Sequence, residues 1–178
     1  MRLYLLASLA FLFYGSIAST VIRAKPNVVI FFTDDQGTLD AGCYGAPHLK
    51  TPHIDQLAET GVRFTQAYAH TVCCPSAAMM MTGRHPQRGG VNHWTQGNMN
   101  TPKGRNMALE ELTMAEVLKR EGYRTALFGK WHLGAHQDHG PKKQGFDEFF
   151  GIRNGFIDNF NHHFLHQAGY HDLYEGTI

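Results

Sequence analysis

Val28-Val29-Ile30-Phe31-Phe32, followed directly by Thr33-Asp34-Asp35-Gln36-Gly37, is the stretch that decides the class of fold. Five consecutive apolar residues, all β-branched or aromatic, predict a strand buried on both faces. The polar residues and the glycine after them predict a loop at the end of that strand. Strands covered on both faces occur in sheets flanked by helices, so this stretch indicates an α/β protein.

Helix signals follow at three places along the chain. Thr51 and Pro52 predict the N-cap and first residue of a helix that ends near Gly61, with an apolar face. A second helix is predicted over 75–81, closing near Gly83. A third opens on the capping-box pattern of Thr113 to Glu116 and ends at Gly122. The apolar face of the first helix comprises Ile54, Leu57 and Ala58.

Further strands are predicted over 62–69, between the first and second helices, and over 123–128, after the third. Residues 84–108, rich in Gly, Asn, Pro and Thr, are predicted to form a long surface excursion. The alternation of strands and helices predicts a largely parallel central sheet flanked by helices.

The composition and the first residues of the chain indicate its class of protein and its cellular location. The chain has 178 residues, of which 43% are hydrophobic and 17% are charged, and this composition predicts a folded domain. Its net charge is +1 and it has no basic stripe, which argues against nucleic-acid binding. The charged Met1-Arg2, the apolar run 3–14 and the small residues after it predict a signal peptide over 1–24. An uncleaved anchor or a lipid-modified start remains the alternative. We therefore expect a secreted, periplasmic or otherwise exported protein with no stable membrane span after cleavage.

Three groups of residues could carry chemistry. Asp34 and Asp35 follow a predicted strand and offer oxygen ligands to calcium or magnesium, although loop aspartates are the alternative. Cys73, at the start of a predicted helix, could be a nucleophile or an inert buried thiol. Lys130 and His132 could bind an anion and move a proton, or be a solvated lysine and a packed histidine. Together they predict a site for an oxyanion at one edge of one sheet.

From about Lys25 to Gly151 the sequence resembles the sulfatase family. The matching segments include Cys-Cys-Pro-Ser-Ala-Ala, Thr-Gly-Arg and Gly-Lys-Trp-His-Leu-Gly, and their order and spacing make the resemblance specific. The segments lie at 26–37, 51–58, 61–69, 73–78, 82–84, 122–134 and 145–151.

The resemblance implies an alkaline-phosphatase-like sulfatase fold and a sulfuric ester hydrolase acting on aryl or carbohydrate sulfates. It implies that Asp34 and Asp35, with residue 73, bind calcium. It also implies that a formylglycine-generating enzyme oxidises Cys73 to formylglycine, whose hydrate attacks sulfur. Lys130 and His132 would hold the oxygens of the sulfate and of formylglycine. The expected partner is a sulfated small molecule or glycan.

Two departures accompany the resemblance. The modification motif of the family is Cys-x-Pro-x-Arg, and this chain has Ala77 at the arginine position. Family members are also more than twice as long, so 25–178 is expected to be a truncated N-terminal portion of the catalytic domain. These departures leave two rivals open: an inactive sulfatase-like fragment or sulfated-glycan-binding remnant, and a phosphate or phosphonate ester hydrolase of the same superfamily.

Overall fold

The computed structural model describes residues 24–94, 101–165 and 169–176 and divides into two units, Met1–Thr33 and Asp34–Ile178. In the first unit, residues 24–33 form no helix or strand, and the side chains of 28–32 are exposed. The strand predicted at 28–32 is therefore wrong. An apolar run becomes a strand only when a neighbour pairs with its backbone, and the described residues give this run none. The predicted signal peptide, apart from Ala24, lies outside the described residues.

The second unit contains the three predicted helices. They are α1 (Pro52–Thr60), α2 (Cys73–Thr82) and α3 (Met114–Arg120). Helix α2 begins two residues earlier than predicted and ends at Gly83, which adopts the left-handed conformation (φ 64°) that glycine tolerates best. The capping box of α3 is confirmed, because the backbone N–H of Thr113 donates to the Glu116 carboxylate and that of Glu116 to the Thr113 hydroxyl.

The sheet has three strands in the order β1 (Ala126–Lys130), β2 (Glu148–Ile152) and β3 (Tyr174–Glu175). β1 and β2 are parallel, with Lys130 opposite Ile152, whereas β3 runs antiparallel to β2. The predicted α/β class is confirmed, in the form of a small mixed sheet with helices. The strand predicted over 123–128 begins at Ala126. The strand predicted over 62–69 is wrong: these residues form no regular element, and Phe64 is 69% exposed.

The core lies between α2, α3 and the segment after β1. Two of its members, Val91 and Met107, come from the predicted surface excursion at 84–108, and both are only 1% exposed. The prediction is therefore wrong at Val91 and Met107. At Met107, a hydrogen bond from its N–H to the carbonyl of Leu133 holds the chain against the core. The core cluster comprises Cys74, Ala78, Met81, Val91, Met107, Ala115, Trp131, Leu133 and Phe146.

Helix α1 contrasts with this core. It forms where predicted, yet it buries no residue, and its apolar Leu57 is 67% exposed. No helix within the described ranges has the length and apolar character needed to cross a membrane.

Candidate active site

Helix α2 presents Cys73 at its first position. Val72, the N-cap residue, is extended, so the chain turns into the helix directly at the cysteine. The buried hydroxyl of Ser76 fixes this entry, since it donates to the carbonyls of Val72 and His70 at 2.9 and 3.1 Å and accepts from the N–H of His70 at 3.0 Å. Cys73 is half-buried, and the backbone N–H groups of the first turn favour negative charge beside it.

The end of β1 delivers Lys130 and His132. Lys130 is the last residue of the strand, and the parallel pairing continues past it, because the N–H of Trp131 bonds the carbonyl of Ile152 and that of His132 bonds Arg153. At His132 the backbone turns left-handed (φ 55°), a conformation that costs a non-glycine residue about 1–3 kcal/mol. The surrounding contacts must therefore hold this residue in place.

The loop after β2 supplies that support. A Cβ at Gly155 would lie 2.4 Å from Cε1 of His132, so only glycine lets the imidazole ring sit there. Asp172, with no exposed surface, accepts hydrogen bonds from the N–H groups of Arg153 and Asn154 at 3.2 and 2.9 Å. The buried carboxylate thus fixes the backbone that carries Gly155 and bonds His132.

The predicted residues from α2 and β1 meet in space. Sγ of Cys73 lies 3.3 Å from Nδ1 of His132, and Sγ of Cys74 lies 3.2 Å from Nε2 of the same ring. Lys130 donates from Nζ to Oδ2 of Asp34 at 2.8 Å. The geometry therefore joins four of the five predicted site residues through direct contacts, in two pairs.

Burial and charge set the protonation of the two basic groups. Burial lowers the pKa of His132 from 6.5 to about 4, helped by the positive charge of Lys130 and opposed by Asp34. Burial also works against the Lys130 ammonium, but the hydrogen bond to Asp34 and the negative charges of Cys73 and Asp34 outweigh it and raise the pKa of Lys130. At neutral pH the site therefore holds one fixed cation and one neutral imidazole.

Asp35 is the predicted residue that stays apart. Its backbone is left-handed (φ 51°) and its side chain is exposed, and within the described part of the chain no hydrogen bond joins its carboxylate to Lys130 or Cys73. The donor chemistry of Asp34 and Asp35 nevertheless suits calcium, since both offer hard carboxylate oxygens and Asp34 already lies against a cation. These two residues, with an oxygen at position 73, are those that could hold the ion.

Position 77 lies one helical turn after Cys73, on the same face of α2. Ala77 is half-buried there and packs against the core cluster. The helix thus places no cation beside Cys73 from this position, whereas Lys130 at the end of β1 interacts with Cys73, which contributes to the raised pKa of Lys130.

Three residues of the site were not predicted from the sequence. Cys74 reaches His132 from the far side of the ring, Gly155 lies under it, and Asp172 anchors the loop. The Cys-Cys pair itself was a usable signal for Cys74. Nothing in the local sequence distinguishes Gly155 or Asp172, because their role depends on the pairing of β1 with β2.

Comparison with solved structures places this fold among sulfatases. The crystal structure of PsFucS1 sulfatase from Pseudoalteromonas sp. matches with a TM-score of 0.61 and 35% identity, over 75% of this chain and 26% of that one. The crystal structure of Ps i-CgsB matches with a TM-score of 0.67 and 37% identity, over 77% of this chain and 30% of that one.

Sequence comparison agrees. Steryl-sulfatase of Homo sapiens is 41% identical over 150 residues, covering 79% of this chain and 26% of the relative. Arylsulfatase A of Homo sapiens is 44% identical over 139 residues, covering 76% of this chain and 27% of the relative. A family model described as Sulfatase matches residues 26–174, and this chain belongs to the sulfatase family. It spans about a quarter of the length of these curated relatives.

Proposed function

We propose that this chain forms the N-terminal portion of a sulfuric ester hydrolase that cleaves aryl or carbohydrate sulfates after conversion of Cys73 to formylglycine. The observation that carries the proposal is the position of Cys73, at the first residue of α2 and 3.3 Å from His132. Family membership supports the reaction class. The Ps i-CgsB protein has also been solved with k-i-k-neocarrahexaose, which favours a carbohydrate substrate here.

The chain's own residues would bind the ester and handle its protons. Lys130, charged because its pKa is raised, would hold an oxygen of the transferring group and offset its developing charge. His132, neutral with a pKa of about 4, can donate or accept at Nδ1, the atom nearest residue 73. An incoming sulfate ester, which carries one negative charge, would raise that pKa and make proton uptake easier. Calcium on Asp34 and Asp35 would supply further positive charge, and formylglycine the nucleophile.

The reaction is tested with matched aryl sulfate and aryl phosphate substrates. The protein is produced together with a formylglycine-generating enzyme and assayed with calcium. We expect slow hydrolysis of the sulfate ester, since this chain supplies only part of the calcium ligands, with loss of the activity in Cys73→Ala and retention in the control Cys43→Ala, whose thiol lies outside the site. Faster cleavage of the phosphate ester, or activity surviving in Cys73→Ala, would refute the proposal.

Calcium affinity gives a second test. Asp34, Asp35 and residue 73 supply fewer than the 6–8 oxygens that calcium takes in proteins. We therefore predict weak calcium binding by this chain, lost in Asp34→Asn. Tight binding by titration calorimetry would contradict this.

An inactive, glycan-binding sulfatase relative is the second candidate, and Ala77 is the observation that favours it. Without a guanidinium on the Cys73 face of α2, the modification motif is incomplete. Ala77→Arg should then raise the fraction of chains that carry an aldehyde at position 73, measured by mass spectrometry, whereas Ala58→Arg on exposed α1 should not. An equal fraction in wild type and Ala77→Arg would remove this candidate's support.

Export is part of the proposal. The predicted signal peptide over 1–24 would direct the chain to the secretory or periplasmic route, where we expect it to meet the formylglycine-generating enzyme and then its sulfated substrate.

A further inference from the structure

The site contains two thiols and an imidazole, a set of soft donor atoms that differs from the carboxylate oxygens proposed to bind calcium. Cys73, Cys74 and His132 each offer one ligand atom, and these atoms lie within 4.8 Å of one another. Among the described residues, this is the one group of three or more His, Cys, Asp or Glu side chains gathered so closely. None of the three cysteines, all within the described ranges, is in a disulfide.

The fold holds these atoms in place. Cys74 has no exposed surface and belongs to the core cluster, and Cys73 is fixed beside it on the first turn of α2. His132 is 7% exposed, bonded through its N–H to Arg153 and backed by Gly155. A site whose ligands are set before binding loses little entropy when an ion enters.

The donor chemistry selects the ion. Calcium takes oxygen ligands, whereas two sulfurs and an imidazole nitrogen are the ligands of zinc. Zinc lies about 2.3 Å from sulfur and about 2.0 Å from nitrogen, so a tetrahedral site separates the two atoms by about 3.5 Å. Sγ of Cys74 lies 3.2 Å from Nε2 of His132, and Sγ of Cys73 lies 3.3 Å from Nδ1 of the same ring. One ion binds one of these nitrogens, so a site on Nε2 requires the Cys73 side chain, whose Sγ lies within 4.8 Å of the other two ligand atoms, to turn toward it.

We propose that, in chains whose Cys73 remains a thiol, Cys73, Cys74 and His132 bind one zinc ion. Both thiols lose their protons to solvent as the ion enters, and the two thiolates balance its charge. Three protein ligands leave the fourth position to water or an anion. Because conversion to formylglycine oxidises Cβ of Cys73 to an aldehyde and removes its sulfur, zinc binding and conversion of Cys73 exclude each other.

The chain produced without a formylglycine-generating enzyme tests this directly. We expect one equivalent of zinc by competition with a chromogenic chelator. Cobalt should give a thiolate-to-metal charge-transfer band that falls by about half in Cys73→Ser, since one of two thiolates is lost. The matched control Cys43→Ser should bind like wild type. Calcium in excess should not displace the zinc.

Cys74→Ser alters a fully buried position, so its folding is checked by circular dichroism and His132→Gln is measured beside it. We expect both variants to weaken zinc binding at least about tenfold. A wild-type cobalt spectrum without a thiolate band, or binding that Cys73→Ser leaves intact, would overturn the proposal. The measurement needs no sulfatase activity, so its outcome is independent of the proposed reaction.

Discussion

Helices α1 and α2 are nearly equal in length, 9 and 10 residues, but they differ in what they bury. Helix α2 has five buried residues, three of them in the core cluster, whereas α1 has none. The spacing of apolar residues predicts an apolar face for α1, yet that face stays exposed because the described residues supply nothing to cover it. The difference shows that capping residues and apolar spacing determine where a helix forms. Whether its apolar face is buried depends on a packing partner elsewhere in the chain.

The same contrast divides the proposed site. Cys73 and His132 rest on α2, β1 and β2, which pack against one another, whereas Asp34 and Asp35 lie in a segment without regular structure. The side chains on α2 and β1 are therefore positioned by the core. Of the two carboxylates that we propose as calcium ligands, Asp34 is held by an ion pair with Lys130.

The largest effect is expected at Lys130, where the two parts of the site meet. Lys130→Ala should lower kcat/KM for an aryl sulfate by about 10²–10³-fold, because it removes a charge aimed at the developing oxyanion. Lys119→Ala, which removes a half-exposed lysine paired with Asp147, should leave activity unchanged. Equal losses in the two variants would show that general charge, and not the site, is responsible.

Truncation of matched apolar residues compares the helices themselves. Met81→Ala in α2 should lower the free energy of unfolding by about 2–5 kcal/mol, since Met81 is 5% exposed and its loss leaves a cavity. Leu57→Ala in α1 should change it by less than about 0.5 kcal/mol. Urea unfolding measures both. A large cost at Leu57 would mean that α1 is covered in solution.

Acid should weaken the α2–β1 region through His132. Its pKa is about 4 in the folded chain and 6.5 ordinarily, so between these values the unfolded chain binds a proton that the folded chain does not. The contribution is present above about pH 6.5 and is lost as the pH falls towards 4, by about 3 kcal/mol in total.

Urea unfolding at several pH values in a chelating buffer measures this loss. His132→Gln should flatten the dependence of the free energy of unfolding on pH. His53→Gln on exposed α1 should leave that dependence unchanged. The account of His132 fails if His132→Gln retains the wild-type slope.

The sequence predicted what local chemistry determines and missed what depends on distant partners. The capping box of α3, the glycine that ends α2 and the loop-end positions of Lys130 and His132 are local signals, and the first two are confirmed. The runs at 28–32 and 62–69 have strand composition but no pairing neighbour among the described residues. Val91 and Met107 lie in polar surroundings in sequence, and both are buried in the core cluster to which α2, α3 and the segment after β1 contribute. The pairing of Cys74 with His132 likewise requires the β1–β2 register.

The central claim is that residue 73, and not its neighbour, becomes the reactive group of a sulfatase. Mass spectrometry of the tryptic peptide that contains Cys73 and Cys74, from protein produced in the presence of a formylglycine-generating enzyme, tests this most directly. We expect an aldehyde at position 73, trapped by a hydrazide probe, and an intact thiol at position 74. Two unmodified thiols in all of the purified protein would contradict the claim.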